Sequence, residues 1–325
     1  MNVKAEKTSV SNDKPPVIVI TGPTASGKSA LAVEAALKLG GEIINADSMQ
    51  IYQELDVLTA RPDRQALARV PHRLYGVLSG AVRCSAEQWR RLAIQEIEEL
   101  HKAGKVPVLV GGTGLYIRAL EKGIARIPAI PETVRLQGRE KLAQMGGEKF
   151  RSLLAELDPE MALRLPPGDS QRLVRAWEVA SYTGRSILAW QQDAQESVPE
   201  YDFIRFAMIP PRDELYDNCN KRLEMMLEQG ALEEVEALIK LDLDPSLPLM
   251  KALGVPELVR YLDGTLSRSE AISQAQQSTR RYAKRQMTWI RTQYSDAKII
   301  NEKYSESLRG EFFNFIRQSG LTLIN

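Results

Sequence analysis

The stretch Val17-Ile18-Val19-Ile20-Thr21-Gly22-Pro23-Thr24-Ala25-Ser26-Gly27-Lys28-Ser29 runs from an apolar segment through a glycine-rich turn into a helical pattern over 30–39. Residues 22–29 fill every fixed position of the phosphate-binding loop G-x-x-x-x-G-K-[ST], in the strand–loop–helix context that motif requires. Glycine lets the backbone turn tightly, so that successive N–H groups point inward at phosphate oxygens. The helix that starts there adds the positive end of its dipole. Lys28 supplies a point charge, and the Ser29 hydroxyl is a ligand for Mg²⁺. The sequence therefore predicts a di- or triphosphate site. The plainer alternative is a glycine-rich turn with a solvated lysine.

Working outward, the runs 42–46, 106–110 and 203–209 read as further buried strands, and helical patterns at 28–39 and 86–103 separate the first three strands. This alternation predicts an α/β fold, a parallel sheet of the P-loop NTPase kind covered by helices. In 86–103, Trp89, Leu92, Ala93, Ile97 and Leu100 recur near helical spacing, with Arg and Glu opposite. Beyond Ile127-Pro128-Ala129-Ile130-Pro131 the character changes. Helix patterns follow without a strand-like run, broken at Gly146-Gly147, Asp158-Pro159 and Pro166-Pro167-Gly168. The expected organisation is a disordered tail at 1–14, a catalytic core made of 15–127 and 199–325, and an all-helical insertion at 128–198. From 212 onward the pattern is again mostly helical, at 212–229, 231–240, 255–262, 268–291 and 308–318, with no internal repeat.

Of the 325 residues, 43% are hydrophobic and 26% charged, an ordinary globular balance. The net charge of +1 supplies no global field, so a nucleic-acid partner would have to be held by a local patch. Cys84 and Cys219 read as reduced thiols rather than a disulfide framework. His72 and His101 belong to no Cys/His cluster that would hold zinc. The polar residues 1–14 lack the apolar core of a signal peptide, and no run approaches a membrane span. A cytoplasmic protein without a membrane partner is expected.

A phosphate loop alone says only that phosphate binds. NTPases commonly end a second apolar strand in an Asp that holds Mg²⁺. Here Val106-Pro107-Val108-Leu109-Val110 ends instead in Gly111-Gly112-Thr113-Gly114, a second glycine-rich turn at the strand end where ligands bind in open α/β sheets. The strand at 42–46 ends in Asp47-Ser48-Met49-Gln50-Ile51-Tyr52. A carboxylate there could hold a metal water, bind a substrate hydroxyl or act as a general base. It could equally be a helix cap, and Asp56 or Asp63 could take the metal role. Finally, 279–291 carries Arg280, Arg281, Lys284, Arg285 and Arg291 beside an apolar stripe of Ala283, Met287, Ile290 and Tyr294, with no acid between Ala271 and Arg291. Such a basic face suits a phosphate backbone, or is simply a solvated helix surface.

Taken together these pieces resemble the tRNA dimethylallyltransferases, also called tRNA isopentenyltransferases. The resemblance rests on residues 22–29, Asn45-Ala46-Asp47-Ser48-Met49-Gln50-Ile51-Tyr52, Thr59-Ala60-Arg61-Pro62, Pro71-His72-Arg73-Leu74, Gly111-Gly112-Thr113-Gly114-Leu115-Tyr116, Ser170-Gln171-Arg172-Leu173-Val174-Arg175-Ala176, and Tyr282-Ala283-Lys284-Arg285-Gln286 with Thr288-Trp289. It covers about residues 15–295 in the family's order.

The resemblance implies transfer of a dimethylallyl group from its diphosphate to N6 of adenosine 37. Residues 22–29 would hold the diphosphate rather than ATP, with Mg²⁺ on Ser29. Asp47 would be the general base, Thr24 would lie at the reacting end, and Arg222 would contact substrate or pyrophosphate. Asp47, Ser48, Met49, Gln50, Thr113, Arg135, Gln171, Arg172, Leu173, Val174, Arg175, Lys251, Arg280, Arg281, Lys284 and Arg285 would face the anticodon stem-loop of the tRNA. It further implies a monomer, with the helical insertion closing on the stem-loop.

The chain departs from the family pattern at Arg61, at Arg73, at Tyr75-Gly76-Val77, and at Leu253-Gly254-Val255-Pro256-Glu257, where Pro256 removes a cation and an N–H. The alternatives are an adenylate isopentenyltransferase of the cytokinin type, a P-loop small-molecule kinase, and a non-catalytic RNA-binding module.

Overall fold

The computed structural model describes residues 14–193 and 200–324. The tail expected at 1–14 lies outside them except for Lys14. The elements run β1 (Pro16–Thr21), α1 (Lys28–Leu39), β2 (Glu42–Asn45), α2 (Arg64–Arg69), β3 (His72–Arg73), α3 (Ala86–Lys102), β4 (Pro107–Gly111), α4 (Gly114–Lys122), α5 (Glu132–Leu157), α6 (Pro159–Arg164), α7 (Ser170–Thr183), α8 (Ile187–Asp193), β5 (Asp202–Met208), α9 (Arg212–Glu228), α10 (Ala231–Ile239), a 3₁₀ turn at Leu249–Lys251, α11 (Val255–Leu262), α12 (Arg268–Gln293), β6 (Lys298–Ile300) and α13 (Glu306–Gln318).

All strand pairings are parallel, in the order β3-β2-β4-β1-β5-β6. β1 is central, with Ile18 opposite both Val108 and Ile204. Strand alternation sends Val17 and Val19 to one face, where they meet Ile44, Trp89, Leu109 and Phe203. Ile18 and Ile20 go to the other, against Leu31, Ile43, Val108, Phe206 and Phe312. A parallel sheet needs this cover on both faces because its crossover helices lie there. Each fully buried Ile of this kind contributes about 1.5–3 kcal/mol relative to exposure.

The strands foreseen at 17–20, 42–46, 106–110 and 203–209 are present. The sequence reading missed β3 and β6, two and three residues long, which have no room to display a period. It also missed α2 and α4. Gly111 closes β4 against β2: a Cβ there would stand 2.2 Å from the Ala46 backbone. The glycine thus lets the two strand ends that carry Asp47 and Thr113 approach each other.

By internal packing the chain divides into Met1–Glu121 with Pro199–Asn325, and a helical unit Lys122–Val198. The helical unit has its own core of Phe150, Leu154, Met161, Leu165, Leu173 and Trp177. Its first helix, α5, bends at Gly146, whose φ of 75° is outside helical geometry. Among the described residues no helix is long and apolar enough to cross a membrane.

Candidate active site

Thr24, Lys28, Asp47, Thr113 and Arg222, distant in sequence, come together at the C-terminal ends of β1, β2 and β4. The loop after β1 turns into α1 at Gly27, which takes φ 88° at the cap position. Lys28 folds back so that Nζ donates to Pro23 O at 3.3 Å. Burial pushes the Lys28 ammonium down to about 8; Asp47 opposes that shift and Arg222 adds to it. Ser26 Oγ is buried without a hydrogen-bond partner among the described residues. Ser29 is exposed at the start of α1.

The loop lines a cavity of about 430 Å³ together with Asn218, Lys221, Arg222 and Met225. Lys28, Lys221 and Arg222 face it and, among the described residues, no carboxylate does, which is the electrostatic requirement for a polyanion. A second cavity, about 470 Å³, adjoins the other side of Ser29. It holds carboxylates of its own, Glu34 and Asp63, and its arginines are paired: Arg69 with Glu34 and Arg61 with Asp56. The first cavity is therefore the better phosphate cradle.

Thr24 is held from three directions. Its N–H donates to Gln286 Oε1 at 2.8 Å, its Oγ1 accepts a short bond from Arg222 Nη2, and its carbonyl accepts from the Cys219 thiol at 3.9 Å. Arg222 is depressed below its ordinary range, chiefly by burial, while Cys219 and Asp47 pull it back up.

Asp47 follows β2 in a turn rather than at a helix start, so the helix-cap alternative does not apply. Its Oδ1 accepts the Met49 N–H at 2.9 Å. Its other oxygen has no hydrogen-bond partner among the described residues. Asn45, fully buried, brackets the residue: Oδ1 accepts the Asp47 N–H at 2.7 Å, and Nδ2 donates to the Asp47 carbonyl at 2.9 Å. Thr113 joins the β4 turn to the β2 turn by accepting the Ser48 N–H at 3.0 Å. Tyr75, Tyr116 and Tyr282 are all raised above the ordinary phenol range, chiefly by burial, with the Asp47 charge adding to each. The Asp47 charge thus reaches three phenols and two cations.

The other acids considered for a metal role are occupied: Asp63 caps α2 by accepting the Ala66 N–H, and Asp56 pairs with Arg61. The departures from the family pattern are structural. Arg73 pairs with Glu42, Glu96 and Glu99. Pro256 sits in the first turn of α11, where its missing N–H leaves no helical bond unmade.

α12 packs its inner face on the second glycine-rich turn. Tyr282 stands beside Thr113, Gln286 Nε2 donates to Gly112 O at 2.9 Å, and Trp289 lies against Gly114. Arg281, Lys284, Arg285 and Arg291 are exposed and form no ion pair among the described residues. Arg280 differs from its expected place on the basic face: it is half-buried, and Nη1 donates to Asn220 Oδ1 at 2.6 Å, tying α12 to α9. Gln50 also has a structural task, since Nε2 donates to the carbonyls of Thr59 and Ala60 at 2.8 Å each. Met49 and Ser48 are half-buried, and Lys251 is exposed in the 3₁₀ turn.

Within the helical unit, Gln171 and Arg172 are exposed at the start of α7, and Arg175 is half-buried with Nη1 on Glu178. Leu173 and Val174 are corrected: they turn inward into that unit's core, so their side chains are not available to a ligand. Carrying a motif over as a block ignored the helical period, which rotates two of its five positions away from solvent. Arg135, on α5, pairs loosely with Glu132 at 3.7 Å.

Sequence reasoning missed three residues at the site. Lys221 adds the third cation of the cradle, Asn45 orients Asp47, and Gln286 bridges the two glycine-rich turns. The available signals were a polar residue ending an apolar strand for Asn45, and a polar residue on the buried stripe of α12 for Gln286.

The sequence model described as IPP transferase matches residues 50–293. A tRNA dimethylallyltransferase of Parvibaculum lavamentivorans is 48% identical over 305 residues, 94% of this chain and 97% of that protein. One from Rhodospirillum centenum is 52% identical over 284 residues, covering 87% and 90%. The crystal structure of a full-length tRNA isopentenylpyrophosphate transferase of Bacillus halodurans is similar at TM-score 0.69 and 31% identity, covering 94% of this chain and 96% of that one. A eukaryotic dimethylallyltransferase described as acting on tRNA shares the fold at TM-score 0.77 and 24% identity, covering 96% and 81%.

Proposed function

The chain belongs to the IPP transferase family, the tRNA dimethylallyltransferases, and we propose that it moves the dimethylallyl group of dimethylallyl diphosphate to N6 of adenosine 37 of tRNA, leaving N6-isopentenyladenosine and diphosphate. The observation that carries this reading is a phosphate cradle lined, among the described residues, by no carboxylate, with Asp47 near enough for its charge to act on Lys28 and Arg222. The donor's diphosphate lies against the backbone of residues 22–27, Lys28, Lys221 and Arg222. The target base leaves the anticodon-loop stack, as it must for any enzyme working on a base edge, and presents N6 to Asp47.

The exocyclic amine is a poor nucleophile because its lone pair is delocalised into the ring. Asp47 takes one N6 proton as the N6–C bond forms and the donor's C–O bond breaks. The negative charge that develops on the departing diphosphate falls on Lys28 and Arg222, with Thr24 Oγ1 held at the same point by Arg222. Asn45 keeps Asp47 in register, and Thr113 with Tyr282 closes the acceptor side.

Mg²⁺ fits this cradle by donor chemistry. It characteristically takes one or two protein oxygens and completes its shell with substrate phosphate and water. Ser29 offers such an oxygen at the loop mouth, and no cluster of three acidic, His or Cys groups competes for it among the described residues. When bound, the ion neutralises diphosphate charge. Every residue of this scheme comes from one chain, so a monomer suffices.

The test is mass spectrometry of nucleosides from unmodified tRNA incubated with dimethylallyl diphosphate and Mg²⁺. The expected result is a dimethylallyl mass gain on one adenosine, mapped to position 37. Gain on free AMP but not on tRNA would replace this reading with the cytokinin type, and phosphate transfer from ATP would replace it with a kinase.

The exposed face of α12 carries a second expectation. Lys284→Ala combined with Arg285→Ala should weaken tRNA binding and leave inorganic pyrophosphate binding within about twofold. For each RNA phosphate that no longer meets a cation, the slope of log affinity against log salt should become shallower by about 0.7–0.9. An unchanged slope in a salt series would reduce this face to a solvated surface.

A further inference from the structure

On the buried stripe of α12, beside Ala283, Met287 and Ile290, stands one amide, Gln286, only 6% exposed. Both ends of it are used. Oε1 accepts the Thr24 N–H at 2.8 Å, and Nε2 donates to Gly112 O at 2.9 Å. Thr24 belongs to the phosphate loop after β1 and Gly112 to the turn after β4, and these strands are neighbours in the sheet. A Cβ on residue 112 would lie 2.0 Å from Gln286 Nε2, so the glycine is what admits the amide. Among the described residues no other side chain bonds both turns. Thr24 Oγ1 is in turn the atom that Arg222 Nη2 contacts.

From this geometry we infer that Gln286 is a positioning residue that fixes the Thr24 end of the phosphate loop, and with it Arg222, at the point where diphosphate charge develops. The inference rests on the donor assignment proposed above. It also makes α12 a helix with two tasks, since the inner face clamps the donor loop while Lys284 and Arg285 on the outer face meet solvent. Without the amide, the Thr24 N–H loses a buried acceptor, and the tie left between the two strand ends is the Thr21 Oγ1 bond to the Gly111 carbonyl at 3.0 Å, which does not reach Thr24. A buried donor left unpaired must seek another partner, and the loop can supply one only by moving.

Gln286→Met keeps the volume and removes both bonds. Inorganic pyrophosphate binding, followed by calorimetry, should weaken about tenfold or more, the scale of one unpaired buried N–H. In prenyl transfer kcat/KM for the donor should fall at least as much. The tRNA affinity should stay within about twofold.

Gln286→Glu supplies a second arm that does not depend on how well the first variant folds. As a carboxylate it still accepts from Thr24 but faces the Gly112 carbonyl with a second acceptor. As a carboxylic acid it donates to that carbonyl and accepts from Thr24, restoring both bonds. Its donor kcat/KM relative to the unsubstituted protein should therefore rise as pH falls from about 8 to about 5.5. Lys28, Arg222 and Tyr282 are common to both proteins, so the ratio reports what the substitution adds.

Unchanged pyrophosphate binding in Gln286→Met would overturn the inference. So would a flat ratio in Gln286→Glu, or an equal loss of tRNA and pyrophosphate affinity, which would mark a general packing role. If the unsubstituted protein transfers no prenyl group, the donor assignment fails by itself, and the pyrophosphate measurement still decides the role of Gln286.

Discussion

Asp47→Asn should lower kcat for prenyl transfer by about 10²-fold or more, the scale expected when a positioned general base is removed. The substitution is close to silent for the fold. An Asn side chain still offers an oxygen to the Met49 N–H, and the Asn45 bracket acts on the Asp47 backbone, which does not change. What disappears is the charge and the basic oxygen that has no partner among the described residues. A second effect follows from the same geometry. Asp47 is the strongest influence holding Lys28 up against burial, so its neutralisation should lower Lys28 further below about 8. The alkaline limb of kcat/KM for the donor should then move to lower pH, while tRNA binding persists. Single-turnover rates and a pH profile of both proteins provide the check. A near-normal rate would leave Asp47 with only its turn-forming bond to Met49.

These expectations rest on residues of unequal legibility. The phosphate loop could be read in the sequence because its chemistry is local: eight consecutive residues make one turn, and their spacing is the structure. Asp47 was legible as a strand-end carboxylate, but which of its alternatives applied was not. That depended on the absence of a helix after it and on Asn45, and neither is a matter of periodicity. The sheet order was partly hidden for a similar reason. β3 and β6 exist because β2 and β5 offer them edges to pair with, not because their two or three residues prefer to be strands. Gln286 shows the limit most clearly. Its partners lie 262 and 174 residues away, and only the folded chain pairs them. The misreading of Leu173 and Val174 has the opposite origin: the helical period was available in the sequence and a block motif overrode it.

Lys28→Met should produce the other large effect, a loss of about 10²–10³-fold in kcat/KM for the donor, comparable to removing a charge-stabilising donor from an oxyanion site. Lys28 Nζ is already turned onto Pro23 O of the loop, and Lys221 is too exposed to replace it. The unsubstituted protein should report the same residue through pH. Burial favours the neutral amine, so the free enzyme loses the Lys28 charge as pH rises through about 8. Because kcat/KM follows the free enzyme, it should fall above about pH 8. A bound diphosphate adds negative charge beside the ammonium and raises its pKa, so kcat at saturating donor should hold to higher pH. Lys28→Met should show a low profile without the break near 8. A break that survives the substitution would belong to another group, and equal alkaline limbs in kcat and kcat/KM would mean that the diphosphate does not lie against Lys28.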